Sequence, residues 1–307
     1  MGPYIKRMKP VAFIHTNAKH MLGALVAAHS FRRNSRNPGS FEVRILKAED
    51  YPELQQKGRT FLRGGHERAW DPDDLQSFTP LRYAIPDAMG HQGVALVTDP
   101  DVFAVGDVAE LFTRDLQGKA IWCRPRPGYH KITDPLATSV MLLDCSKLPH
   151  WRFDEDLAAL WDHRIDYLEW INLKRESLST IGLLEPEWND FDHLTPETKL
   201  LHNTKRRTQP WKTGLPVDFT LRERRGLMSL MMPLVRTVAP NYTRHPDPRQ
   251  EAYFYALLAE ALDTGSVSRE QVEKEVRLGH VRPDSLELID RYRGHLWPAD
   301  PAASKAA

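Results

Sequence analysis

Two cysteines, Cys123 and Cys145, are all that the 307 residues contain, which excludes a disulfide framework and a cysteine-rich zinc module. Both stand beside short apolar runs, so they read as buried thiols of a reducing compartment. Long hydrophobic runs are missing too. None approaches the ~20 apolar residues of a membrane-spanning helix. The Val11 to Ile14 stretch behind Lys6, Arg7 and Lys9 is too short for the core of a signal peptide, and the expectation is a soluble, cytoplasmic protein. Charge of one sign is equally lacking: 42 Lys and Arg against 41 Asp and Glu leave a formal net charge of +1. That balance argues against nucleic acid or an anionic membrane as the partner. No internal repeat is visible.

What is present is the composition of a soluble globular chain, 41% hydrophobic and 27% charged. It suits one large domain, or one of about 200 residues with an appendage. Val11 to His15 reads as a strand, Met21 to Phe31 as a helix, and Phe41 to Leu46 as a second strand, which is a βαβ opening. Gly58 to Ser77 is polar and reads as a loop or short helical insert. Thr79-Pro80 opens a helix through Ile85 that leads to a strand at Val94. Further strands are expected around Ala120 to Cys123 and Ser139 to Leu143, with alternation to about residue 200. From residue 216 the pattern turns helical: Arg222 to Val238, then Pro248 to about Thr264, then a helix capped by Ser268. These features predict an α/β fold in residues 1–215, a helical C-terminal region over 216–297, and a disordered tail over 298–307.

The most informative feature is Asp99-Pro100-Asp101, which follows directly on the apolar run Val94-Ala95-Leu96-Val97. A short unbroken apolar run reads as a strand buried on both faces, and ligands of open α/β sheets bind beyond the carboxyl ends of such strands. Two carboxylates this close repel each other unless a cation holds both ionised, and oxygen ligands favour Mg²⁺ or Mn²⁺. The other Asp-x-Asp pairs lack that context. Asp71/Asp73 and Asp190/Asp192 lie in polar stretches, and Asp154/Asp156 reads as the first turn of a helix, where acids suit the dipole.

A second constellation begins at Thr198-Lys199-Leu200-Leu201-His202, a short strand ending in histidine. Lys205, Arg206, Arg207 and Lys212 follow within ten positions, with Trp211 among them. Such a segment suits a diphosphate, with the indole as an apolar wall, or is a solvated surface loop.

Together these residues resemble the retaining family-eight glycosyltransferases, the group containing glycogenin and the bacterial lipopolysaccharide galactosyltransferases. The resemblance covers residues 11–215. It rests on four pieces: Val11 to Asn34; Ser77 to Pro86 with Arg82; Val94 to Leu111 with Asp99, Asp101, Gly106 and Asp107; and Trp188-Asn189, His202 and Pro210-Trp211. It implies a GT-A-like fold, a single Rossmann-type mixed sheet flanked by helices, that binds a nucleotide-sugar donor, a UDP-sugar above all. It also implies Asp99, Asp101 and His202 as ligands of Mn²⁺ or Mg²⁺ and Arg82 as a donor-contacting catalytic residue. His15, Thr16 and Asn17 would lie near the nucleotide, Lys205, Arg207, Trp211 and Lys212 near the phosphates, and Trp188 and Asn189 near sugar or acceptor.

Several positions depart from the family pattern. The first loop reads His15-Thr16-Asn17-Ala18 where the family usually carries an aspartate, Ala137-Thr138-Ser139 replaces its Asn-Ser-Gly, Asp166-Tyr167 stands for its Asp-Gln, and Gln209 for the lysine before Pro210-Trp211. The expected activity is metal-dependent transfer of a sugar, with retention of configuration, to an acceptor that is a glycan, lipid-linked sugar, protein or small molecule. The alternatives are a nucleotide-sugar-binding scaffold without turnover and a metal-dependent phosphoesterase. Leu227 to Met232 and Tyr253-Phe254-Tyr255 offer apolar surface for packing against the catalytic domain, for a homodimer through the C-terminal helices, or for an acceptor platform.

Overall fold

Val11–Thr16, strand β1, is buried at every position in the computed structural model, which describes residues 8–218 and 241–295. Its β-branched and aromatic residues suit a strand covered on both faces. The 13-residue helix Met21–Arg33, α1, carries the chain to β2, Glu42–Lys47. β1 pairs in parallel with β2 on one side and with β5, Val94–Thr98, on the other. The expected βαβ opening is therefore present.

Beyond β5 the sheet turns mixed. β7, Ile121–Pro125, and β8, Leu136–Asp144, are antiparallel to each other, β8 is antiparallel to β5, and β9, Ile181–Leu183, is parallel to β7. The order across the six strands is β2-β1-β5-β8-β7-β9. Because β8 runs against β5, its first residues lie at the edge where β1 and β5 end: Thr98 faces Val140, and the Asp99 N–H donates to the Ser139 carbonyl at 3.0 Å.

A smaller sheet, order β10-β11-β6, joins distant parts of the chain. β6, Val102–Ala104, follows the aspartate pair, and β10 and β11 are Asp190–Phe191 and Leu200–His202. Antiparallel pairing of β11 with β6 sets His202 opposite Val102. Next to this junction the Val105 and Gly106 N–H groups both donate to the Lys199 carbonyl at 2.9 Å.

Gly58 to Ser77 holds a hairpin where a loop or helical insert was expected. β3, Thr60–Arg63, and β4, His66–Ala69, pair antiparallel across Gly64-Gly65, both of which have positive φ, 61° and 74°. Two such residues make the tight turn whose twist matches a hairpin, and glycine adopts it without strain. The strands escaped notice because every β4 side chain is exposed and no alternation marks it. The helix expected from Thr79 is a 3-10 turn, Thr79–Tyr83, followed by a short α-helix, Ile85–Ala88, with Pro80 and Pro86 each in a first turn.

The described residues form two compact units: residues 8–72 with 77–202, and residues 73–76 with 203–218 and 241–295. In the second unit Pro248–Asp263 is a helix begun by Asp247, whose carboxylate accepts from the Arg249 N–H at 3.0 Å. Ser268 caps Arg269–Arg277 through a complete capping box, and Ser285–Tyr292 follows. Tyr253, Phe254 and Tyr255 are all buried, with Phe254 stacked on Trp211 and the Tyr255 hydroxyl 3.2 Å from Ser285 Oγ, so they are interior residues and offer no exposed apolar face. The helix expected over Arg222 to Val238, with Leu227 to Met232, and the tail over 298–307 lie outside the described residues. Both cysteines are free and buried, and burial pushes both thiols up to about 12. No described helix is long and apolar enough to cross a membrane.

Candidate metal centre

Asp99 and Asp101 leave the end of β5, and the β11/β6 register carries His202 to them. His202 Nε2 lies 3.3 Å from Asp101 Oδ1, and one ligand atom from each of Asp99, Asp101 and His202 lies within 4.8 Å of the others. All three are buried, with exposures of 7%, 9% and 4%. A cation with ligands at about 2.1 Å spans them up to roughly 4.2 Å apart, so the cluster needs only a small contraction to close on an ion. Two carboxylates and one imidazole make a hard, oxygen-rich set that fits Mg²⁺ or Mn²⁺. Among the described residues this is the one group of three or more such side chains so gathered.

Asp99 has two further partners. Arg82, on the Thr79–Tyr83 turn, donates from Nη2 to both carboxylate oxygens at 2.6 and 2.5 Å and from Nε to Oδ1 at 3.1 Å. His15, at the end of β1, places Nε2 2.8 Å from the same Oδ1. Burial alone would raise the Asp99 pKa, but the Arg82 guanidinium and the His15 imidazole hold it well below the ordinary carboxylate range. Burial lowers the His15 pKa below that of a free imidazole in spite of Asp99. Arg82 is 7% exposed and also donates from Nη1 to Thr138 Oγ1 at 2.8 Å, so its ion pair with Asp99 is a buried one. Thr16 and Asn17 are buried beside His15, and the Asn17 amide donates to Ser77 Oγ at 2.9 Å.

Trp188 and Asn189, on the 3-10 turn Pro186–Asn189, are buried. The Lys199 ammonium lies 5.8 Å from the centre of the Trp188 ring. Asn189 Oδ1 lies 2.8 Å from His202 Nδ1, and its Nδ2 donates to Ser139 Oγ at 3.0 Å. That relation has no local sequence signature, because it arises from β10 lying parallel to β11, with Phe191 beside His202. Asp166, expected as half of an Asp-Gln equivalent, caps the Tyr167–Ile171 helix at Leu168 and accepts from the Gly65 N–H.

The basic segment after His202 belongs to the second unit. Lys205 and Arg207 are exposed there, and Arg206 donates to Gln76. Trp211 stacks on Phe254, ring centres 4.7 Å apart, and Lys212, 1% exposed, pairs with Asp218 at 2.8 Å. The ammonium of Lys212 is thus committed inside that unit.

No family model matches the chain, and no curated protein matches it. Solved structures do. The chain is similar to the apo bifunctional glycosyltransferase WbbM, with 12% identity over 69% of this chain and 48% of that one and a TM-score of 0.46. It is similar to the glycosyltransferase GlyE of Streptococcus pneumoniae TIGR4, with 16% identity over 85% and 64% and a TM-score of 0.47. It is also similar to the galactosyltransferase LgtC solved with donor and acceptor sugar analogues, with 12% identity over 75% and 97% and a TM-score of 0.45. These neighbours are glycosyltransferases. The chain spans about half the length of WbbM and less than two thirds of GlyE.

Proposed function

We propose that the chain is a divalent-metal-dependent glycosyltransferase that takes a sugar from a nucleoside diphosphate sugar, a UDP-sugar in the first instance, and transfers it with retention of configuration. The observation that carries this reading is the gathering of Asp99, Asp101 and His202 at the carboxyl edge of a buried parallel strand. The motif resemblance supplies the class of substrate.

Loss of a nucleoside diphosphate builds negative charge on the leaving oxygen and positive charge on the anomeric carbon. Mn²⁺ or Mg²⁺, when bound, would neutralise the former and stabilise the transition state more than the ground state. The chain's own part is placement. Asp99 stays ionised because Arg82 and His15 face it, and Asp101, on the turn before β6, and His202, at the end of β11, complete the ligand set. Arg82, fixed by Asp99 and Thr138, keeps a permanent positive charge at the strand edge. In this reading the arginine orients the donor and the acceptor enters from solvent.

The test is nucleoside diphosphate release from a panel of nucleotide sugars with Mn²⁺, Mg²⁺ or chelator. The expected result is metal-dependent release from one donor, lost in Asp101→Asn. A donor that binds tightly without any release would instead favour a scaffold.

A further inference from the structure

We infer that Asn189 is a positioning residue for His202: it holds the hydrogen on Nδ1 and thereby turns an Nε2 lone pair toward the cation site. The inference rests on reading His202 as a metal ligand. A neutral imidazole has one donor and one acceptor nitrogen, and which is which follows from the partner of the other nitrogen. Here Asn189 Oδ1 stands 2.8 Å from Nδ1, so that nitrogen donates.

The amide is held from two sides. Its Nδ2 donates to Ser139 Oγ at 3.0 Å, which orients the oxygen toward the imidazole. Its backbone carbonyl accepts from Arg124 Nη1 at 2.8 Å, and the same nitrogen donates to the Pro186 carbonyl at 3.0 Å. Arg124 is buried on β7 with its guanidinium 5.1 Å from the centre of the Phe191 ring. Phe191 meets the His202 ring edge to face at 5.2 Å and restrains the imidazole's orientation, while the bond to Asn189 sets its tautomer. Asn189 is itself wholly buried, and water does not compete for its amide.

The consequence falls at Nε2, 3.3 Å from Asp101 Oδ1. With the hydrogen on Nδ1, a nitrogen lone pair faces a carboxylate oxygen. A cation held by both residues would relieve that repulsion, whereas a hydrogen on Nε2 would close the site with a hydrogen bond. Partners of this kind behind a metal-binding histidine typically change affinity by about 10–100-fold when removed.

The test uses the full chain with ¹⁵N-labelled histidine, freed of metal with chelator at pH 8, with the His202 signals assigned by their absence in His202→Gln. A hydrogen on Nδ1 is expected in the wild type and in Asn189→Asp, which keeps an acceptor. In Asn189→Leu the hydrogen should move to Nε2, and calorimetric Mg²⁺ affinity should fall about 10–100-fold, with Asn189→Asp near the wild type. An Nδ1 without hydrogen in the wild type overturns the inference, and so does wild-type Mg²⁺ affinity in Asn189→Leu. The wild-type spectrum decides alone if Asn189→Leu does not fold. Wild-type protein with the expected tautomer and no affinity for Mg²⁺ or Mn²⁺ overturns the metal reading and leaves the tautomer assignment standing.

Discussion

His202 lies directly opposite Val102 in the β11/β6 pairing, and its Nε2 comes within 3.3 Å of Asp101. Backbone register between distant segments brings His202 to the two aspartates of the turn between β5 and β6. A hydrogen-bonded ladder fixes a side chain's place more firmly than a loop does, which favours a preorganised site.

Removing one ligand should therefore abolish metal binding and spare the fold. In Asp101→Asn and His202→Ala we expect the rise in melting temperature on adding Mn²⁺ to vanish. Metal-dependent turnover should fall by about a hundredfold or more, since the ion supplies several kcal/mol at 1.36 kcal/mol per factor of ten. Far-ultraviolet circular dichroism should match the wild type. A retained Mn²⁺ shift in both variants contradicts the ligand assignment.

Arg82 and a bound cation would share Asp99. Arg82→Gln leaves a buried carboxylate without its main countercharge, which costs about 3–5 kcal/mol in the metal-free protein. Mn²⁺ should restore part of that loss, so the Mn²⁺-induced gain in denaturation midpoint should be larger in Arg82→Gln than in the wild type. An equal or smaller gain would show that Asp99 serves Arg82 alone.

His15 gives the metal-free protein a specific pH dependence. Its folded pKa lies below the ordinary imidazole value of about 6.5 because burial opposes the charge. Between the two values the unfolded chain binds a proton that the folded chain does not, so stability falls as pH drops below about 6.5. Melting temperature measured from pH 8 to pH 5 should decline less steeply in His15→Gln than in the wild type. Parallel profiles would show that His15 carries no such linkage.

Gly182 supplies a control remote from the ligands. A Cβ there would meet the Trp122 ring at 2.5 Å. Gly182→Ala should cost about 1–3 kcal/mol through overpacking, measured by denaturant unfolding, with Mn²⁺ affinity unchanged. A loss of metal affinity in this variant would make affinity a proxy for stability and weaken every ligand test above.

Much of the α/β core was legible in the sequence because its signals are local. The apolar runs at Val11 and Val94, the helix from Met21, the Pro248 helix and the Ser268 cap all lie where periodicity and capping chemistry place them. The β3/β4 hairpin was missed because its exposed strand carries no alternation, although Gly64-Gly65 marks the turn. Asp99 and Asp101 could be picked out by the buried strand before them. The bonds of Asn189 to His202 and of His15 to Asp99 could not, because each depends on which strands become neighbours. The burial of Lys212 against Asp218 likewise follows from packing within the second unit.

A crystal soaked in Mn²⁺ and measured at the manganese absorption edge locates the ion independently of activity. One strong anomalous peak is expected, bonded to carboxylate oxygens of Asp99 and Asp101 and to His202 Nε2, at about 2.0–2.3 Å. An occupied crystal with no peak between these three side chains contradicts this placement.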